Sequence, residues 1–165
     1  MNQERTTLYG MSNVIDSVSQ LVDNSKMMNS LVAYVAPEKR FRDKYPFEER
    51  YFESNRVLEK YPDRLPVIVE RTVQNNSLPD DPKKKYLVPR IMRLGELMCI
   101  IRKRIKLQSH QAIFLYVSRE DKHGNEHHFL APINDQFEEL YYKYKSKDNF
   151  LYLVAGGESV FGAGN

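Results

Sequence analysis

Cysteine and long apolar segments are nearly absent from this chain of 165 residues. Its one cysteine, Cys99, cannot form an internal disulfide, and residues 1–5 lack the basic-then-apolar order of a secretory signal. The longest apolar runs, at 113–117 and 150–155, fall far short of the roughly 18 residues that a membrane-spanning helix needs. We therefore expect a protein that does not span a bilayer and that resides in the reducing cytosol.

Residue patterns that support catalysis or metal binding are also missing. The chain has no Gly-rich phosphate loop and no GxGxxG motif after a strand. Cys99 has no readable histidine partner and falls off the apolar stripe of its helix, so we expect a buried or partly buried structural thiol. His123, His127 and His128 flank a turn without spaced carboxylates, which favours a solvated hairpin over a metal site. We expect no enzyme activity, no catalytic residue, no metal and no cofactor.

The overall composition is that of an ordinary globular protein. Hydrophobic residues make up 41% of the chain and charged residues 28%, near the averages of roughly 45% and 25%. This balance excludes collagen-like, coiled-coil and wholly disordered classes. The length favours one domain with an appendage, because domains usually have about 100 to 150 residues.

Positive charge is concentrated in one segment. Residues 83–106 contain nine Lys or Arg and one acidic residue, Glu96, although the net charge of the whole chain is only +3. Such a cluster can attract nucleic acid, anionic lipid or an acidic peptide. The alternative is a solvated helix face beside a strand.

Apolar periodicity predicts a helix-rich start followed by strands. In residues 1–40, an extension that we expect to be partly helical or disordered, apolar residues at three- and four-residue steps predict one helix over 11–36, which Pro37 ends. Its polar side carries Asp16 and Asp23 against Lys26, so docking on the domain or on a protein partner is favoured over lipid binding. A second helix is predicted at 47–60, after Pro46.

The rest of the chain alternates strands with helices. Strands are predicted at 65–69, 86–88, 113–117 and 150–155, and His123-Gly124-Asn125 predicts the turn of an extra hairpin within 118–136. A short helix is expected at 137–144. Helical spacing on one apolar stripe predicts a central helix whose buried residues are Leu94, Leu97, Met98, Ile101 and Ile105. The order predicts an α+β fold in which a mixed sheet wraps round that helix, as in the ubiquitin-like β-grasp.

Five sequence segments in this order resemble the autophagy ubiquitin-like modifiers, the family of GABARAP and the microtubule-associated light chain proteins. The segments are YPDRLPVIVER at 61–71, KKKYLVP at 83–89, IIRKRI at 100–105, FLYL at 150–153 and ESVFG at 158–162. The resemblance covers about residues 41–162. It implies a ubiquitin-like domain over 41–162 with two N-terminal helices and a tail, 163–165, that is removed by processing.

The resemblance also implies a covalent function for Gly162. A family-specific processing cysteine protease exposes this glycine, E1-like and E2-like conjugation enzymes activate it as a thioester, and it is joined by an amide to phosphatidylethanolamine. A glycine carboxylate lacks a Cβ and can therefore thread a narrow enzyme cleft. The protein is then expected in the cytoplasm and, when lipidated, on the autophagosomal membrane.

A groove for short aromatic-x-x-aliphatic motifs of receptors and cargo is the second implication. An extended peptide adds to the strand edge near 85–88, and its side chains enter two pockets. Arg64, Lys85 and Arg104 would meet acidic peptide residues. The resemblance assigns to the aromatic pocket Glu53, Val57, Pro66, Ile68, Lys85, Leu87 and Phe150. It assigns to the aliphatic pocket Tyr86, Val88, Pro89, Met92, Leu97 and Ile100.

Two other classes of protein remain open at this point. One is an unconjugated ubiquitin-like protein-binding module. The other is a nucleic-acid-binding module that uses the basic segment, although its Lys and Arg are not interleaved with the repeated aromatics of stacking platforms, so no nucleic acid is expected. The chain also departs from the family in residues 1–38 and in the segment 118–136, which is about nine residues longer.

Overall fold

The computed structural model describes residues 39–72, 78–79, 81 and 83–157, and all of these residues belong to one compact unit. The helix predicted over 11–36 and Gly162 lie outside the described residues. The helices are α1 (Phe41–Lys44), α2 (Phe47–Lys60), α3 (Leu94–Arg104) and α4 (Phe137–Tyr144). The strands are β1 (Arg64–Arg71), β2 (Lys85–Pro89), β3 (Phe114–Glu120), β4 (Glu126–Leu130) and β5 (Leu151–Gly156).

The five strands form one mixed sheet in the order β2-β1-β5-β3-β4. The strands β1 and β5 are parallel, whereas the pairs β1–β2, β3–β5 and β3–β4 are antiparallel. The parallel pair needs a long crossover connection, and the central helix α3 lies within that connection. The predicted α+β grasp fold is confirmed, and it leaves β2 and β4 as the two edges of the sheet.

The two faces of the sheet bury two different groups of side chains, because successive residues of a strand point to opposite faces. On β1, Leu65, Val67 and Val69 belong to the main core together with α3 and α4. Ile68 points the other way and packs in a smaller cluster with Phe41, Phe150 and Tyr152. The smaller cluster lies on the face that α1 and α2 cover.

The central helix follows its predicted apolar stripe. Leu94, Leu97, Ile101 and Ile105 are buried, and Met98 packs against the same core. Cys99 is exposed, so the prediction of a buried or partly buried thiol is wrong. The reason is geometric: Cys99 lies two residues before Ile101, about 200° away round the helix at 100° per residue, and therefore faces solvent.

The predicted hairpin within 118–136 is formed by β3 and β4. Gly124 has φ of 84°, a left-handed conformation that glycine adopts without steric cost. The Asp121 carboxylate accepts hydrogen bonds from the backbone N–H groups of His123 and Asn125, at 2.8 and 2.9 Å. Hydrogen bonds from the Asn125 side chain and backbone and from His127 hold the pKa of Asp121 well below its usual range.

A buried polar network fastens α2 to the sheet. The Arg50 guanidinium is hydrogen-bonded to the Asp148 carboxylate, and Asp148 is fully buried. Tyr152 on β5 donates its O–H to the same carboxylate at 2.7 Å, and the Ser54 hydroxyl donates to the Asp148 carbonyl oxygen at 2.6 Å. Burial and the Asp148 charge raise the pKa of Tyr152. The network fixes the position of the helix that borders the predicted aromatic pocket.

Candidate peptide-binding surface

The strand β2 offers a free backbone edge. Its residues pair with β1 on one side, from Pro89 opposite Arg64 to Lys85 opposite Ile68. Within the described part of the chain, no strand pairs with its other side. An edge strand presents unpaired N–H and C=O groups to which an extended peptide can be added. The structure therefore provides the backbone element that a peptide groove requires.

The register of β1 and β2 brings four residues of the predicted aromatic pocket together. Pro66 lies opposite Leu87, and Ile68 lies opposite Lys85. Pro66 and Ile68 are buried, Leu87 is half-buried and Lys85 is exposed. Phe150 packs beside Ile68 in the smaller cluster and is 3% exposed. These side chains form a floor of buried apolar groups that leads to an exposed rim at Lys85.

Lys85 is the rim residue with the most defined surroundings. Its ammonium lies 2.6 Å from a carboxylate oxygen of Glu53 on α2, and Val57 lies one helical turn further along α2 and is half-buried. The same ammonium lies 5.3 Å from the ring centre of Phe41 and 5.4 Å from that of Tyr45. Cations at such distances are attracted by the ring faces. Glu53 and the two rings thus hold Lys85 at the entrance of the pocket.

Phe41 and Tyr45 were not among the predicted site residues. The helix α1 has four residues, too few for an apolar period to be recognised. The one signal that the sequence offered was the aromatic pair Phe41 and Tyr45 itself. In the structure the ring centre of Phe41 lies 4.9 Å from that of Tyr45 and 5.4 Å from that of Phe150. Through these contacts α1 forms one wall of the predicted aromatic pocket.

The predicted aliphatic pocket lies on the other face of the sheet and is mostly core. Tyr86, Val88 and Leu97 are 7%, 2% and 1% exposed, so little of their surface is available to a ligand. Met92 packs against the core, and Ile100 is 39% exposed. The accessible part of this pocket is therefore made by Ile100 and the half-buried Met92. Pro89, also half-buried, alternates with Val88 and shares the face of Leu87 and Lys85.

Basic side chains border both ends of β2. Arg104 lies 5.2 Å and Lys83 5.3 Å from the ring centre of Tyr86. The Tyr86 hydroxyl donates to Asp81 at 2.6 Å, and burial and that hydrogen bond raise its pKa. Arg64 is exposed near Asp63, at 3.8 Å, at the Pro89 end. Acidic residues on either side of a bound peptide would meet these charges.

Comparisons with known proteins identify the family of this chain. Residues 49–162 match the family model described as "Autophagy protein Atg8 ubiquitin like". The chain belongs to the Atg8 family. It is 42% identical over 123 residues to "Autophagy-related protein 8a" of Arabidopsis thaliana, which covers 74% of this chain and 93% of the relative. It is 41% identical over 123 residues to "Autophagy-related protein 8" of Schizosaccharomyces pombe, with the same coverage of both chains.

A solved Atg8 structure has the same fold. The crystal structure of Trypanosoma brucei ATG8 matches with a TM-score of 0.63 and 32% sequence identity, over 76% of this chain and 100% of that chain. As an Atg8-family member, this chain is an autophagy-related ubiquitin-like protein. No helix in the described ranges is both long enough and apolar enough to cross a membrane.

Proposed function

We propose that this Atg8-family chain is a modifier conjugated through Gly162 to phosphatidylethanolamine and an adaptor that acts in autophagosome formation. The observation that carries this proposal is that the family match ends at Gly162, three residues before Asn165. The segment 158–165 contains two glycines, Gly162 and Gly164, and one bulky apolar pair, Val160 and Phe161. Such a composition suits a segment that must enter an enzyme cleft in extended form.

The chemistry needs only an unhindered acyl group from this chain. A cysteine protease would cleave the Gly162–Ala163 peptide bond and leave a glycine carboxylate. After E1-like and E2-like enzymes have formed a thioester, the lipid amine attacks the carbonyl carbon and the enzyme thiol leaves, so that an amide remains. The catalytic groups belong to the enzymes, which fits a chain that is not itself a catalyst.

The adaptor part of the proposal is supported by the β2 edge. Receptors and cargo would add a short strand there, with an aromatic side chain above Ile68 and Leu87 and an aliphatic one beside Ile100. Before conjugation the protein would be cytoplasmic, and after conjugation it would be on the autophagosomal membrane. The alternative, an unconjugated binding module, would use the same edge without any change at Gly162.

Intact mass separates these two possibilities. The full chain is incubated with a family processing protease and then with E1-like and E2-like enzymes, ATP and vesicles that contain phosphatidylethanolamine. We expect loss of the three terminal residues, followed by gain of one lipid. Gly162→Ala should block both steps, whereas the matched variant Gly164→Ala, which lies in the removed tail, should behave as the parent does.

A chain truncated after Gly162 provides the second control. It should gain lipid without the protease, because its carboxylate is already exposed. Lipid gain by Gly162→Ala, or an unchanged mass of the parent chain, would contradict conjugation at this residue and favour the unconjugated module.

A further inference from the structure

A cavity of about 420 Å³ lies beside β3, toward the edge of the sheet opposite β2. Its lining residues come from β3, from the helices α1, α2 and α4, and from the loops after β3 and α4. The strands β1 and β5 separate β3 from β2, so this cavity is distinct from the candidate peptide-binding surface. We call it the cationic cavity, because its basic lining residues are Arg42, Arg50, Arg119, Lys143, Lys145 and Lys147.

Three of these basic side chains have no carboxylate of the described residues in contact, although a hydrogen bond with Tyr144 and the more distant charge of Asp135 raise the pKa of Lys143. Within the described ranges, no carboxylate lies at ion-pair distance from Arg119, Lys143 or Lys147. All three residues are exposed at the mouth of the cavity. Lys143 lies in the last turn of α4, where a basic residue is favoured by the helix dipole, but Arg119 and Lys147 have no such explanation. Their convergence leaves an excess of positive charge.

The two carboxylates that line the cavity are already engaged. Asp121 accepts the hydrogen bonds of its own turn, from Asn125 and His123. Glu120 lies 3.5 Å from Nη1 of Arg42. They therefore do not neutralise Arg119, Lys143 and Lys147, and an anion from outside can do so.

Arg42 points to a missing hydrogen-bond acceptor. Its Nε and Nη2 atoms are buried, and neither has a hydrogen-bond partner among the described residues. Its Cζ atom lies over the ring of Tyr152, 3.8 Å from the ring centre, a distance at which the ring face attracts the cation. Buried N–H groups that lack an acceptor cost free energy. An anionic oxygen in the cavity would satisfy them once the Arg42 side chain turned its N–H groups toward it.

The size and shape of the cavity favour a compact ligand. Its volume lies in the range of roughly 300 to 1,000 Å³ that is typical of small-molecule sites. Phe47 and Tyr144 add two aromatic side chains to the lining, against which the C–H groups of a ring can pack. Several phosphates on a small ring would place negative charge near all of the basic groups at once.

We propose that the cationic cavity binds a compact polyphosphorylated anion of the inositol phosphate class, either free or as the headgroup of a phosphoinositide. This proposal does not depend on conjugation at Gly162 or on the β2 edge. Arg119, Lys143 and Lys147 attract the ligand, and Arg42 turns its unpartnered N–H groups toward one of its phosphate oxygens.

Calorimetric titration of the full chain with inositol 1,4,5-trisphosphate tests the proposal. We expect saturable binding that weakens as salt is raised, because exposed charges are screened. The triple variant Arg119→Gln, Lys143→Gln, Lys147→Gln should bind about tenfold more weakly or worse. The matched control Arg56→Gln, Lys60→Gln, Lys103→Gln removes the same charge from exposed residues outside the cavity and should bind within about twofold of the parent.

Arg42→Lys tests whether Arg42 binds a phosphate directly or only adds positive charge to the cavity. It keeps the charge but removes Nε and Nη2, so a loss of about fivefold or more is expected if these groups bind phosphate. Thermal melting of every variant shows whether the fold is retained. If Arg42→Lys has the same melting temperature as the parent and binds the trisphosphate equally well, direct binding by Arg42 is ruled out.

Vesicles distinguish the two sources of the ligand. Phosphatidylcholine vesicles with phosphatidylinositol 4,5-bisphosphate are sedimented with the full chain, with phosphatidylcholine alone as control. Binding that soluble trisphosphate displaces supports the headgroup as ligand, and binding of soluble trisphosphate alone supports the free anion. The proposal is overturned if neither probe binds, if the charge-matched control weakens binding as much as the cavity variant, or if only a phosphopeptide binds.

Discussion

The ammonium of Lys85 lies 2.6 and 2.9 Å from the two carboxylate oxygens of Glu53, across the entrance of the predicted aromatic pocket. Both side chains are partly exposed, at 46% and 32%. An exposed ion pair of this kind is worth only about 0 to 1 kcal/mol. A ligand carboxylate can therefore replace Glu53 as the partner of Lys85 at little cost.

Glu53→Gln should strengthen the binding of a peptide that has acidic residues before its aromatic residue. The expected gain is up to about fivefold at low salt, because Lys85 loses its internal competitor, and it should shrink as salt is raised. Titration at two salt concentrations measures this gain. A peptide with neutral flanking residues is the control, and equal gains for both peptides would contradict the explanation.

Leu87→Ala should weaken the same peptide about tenfold, since it removes part of the pocket floor. Leu87 is only half-buried, so this change disturbs the fold less than a change of the buried Tyr86 would. Leu130→Ala on β4 is a matched control, because Leu130 is 54% exposed at the opposite edge of the sheet. Unchanged affinity of Leu87→Ala would argue against a groove at β2.

Ile101→Asp should lower the free energy of unfolding by about 4 kcal/mol or more, because it buries an unpaired charge against the sheet. Chemical denaturation measures the change. Cys99→Asp introduces the same residue two positions earlier, on the exposed face of α3, and should cost less than about 1 kcal/mol. Similar losses for both variants would mean that the stripe of α3 has been assigned to the wrong face.

Asp148→Asn should cost about 3 kcal/mol of stability, since it leaves the largely buried Arg50 without its counter-charge. Asp63→Asn, which alters an exposed pair with Arg64, should change stability by less than about 0.5 kcal/mol. Denaturant melts of the two variants provide the comparison. If Asp148→Asn were as stable as Asp63→Asn, the network would not be what fastens α2 to the sheet.

Local patterns predicted most of the elements correctly, because each pattern reports one exposed and one buried face. The apolar period of Leu94, Leu97 and Ile101 determined α3, and the turn at Gly124 determined the β3–β4 hairpin. The short helix α1 could not be recognised, since four residues carry no period. Cys99 was correctly placed off the apolar stripe of its helix, but burial was expected from its residue type, and the side of α3 that faces away from the stripe is exposed.

The sequence by itself determined the order of the strands and of the longer helices and the segments that resemble the family, because these depend on residue type and spacing along the chain. The tertiary structure decided which residues lie close together in space. Only the pairing of β1 with β2 sets Lys85 opposite Ile68, and only α2 brings Glu53 to Lys85. The cationic cavity likewise joins Arg42 to Arg119 and to Lys147, residues far apart in sequence, which no local pattern could connect.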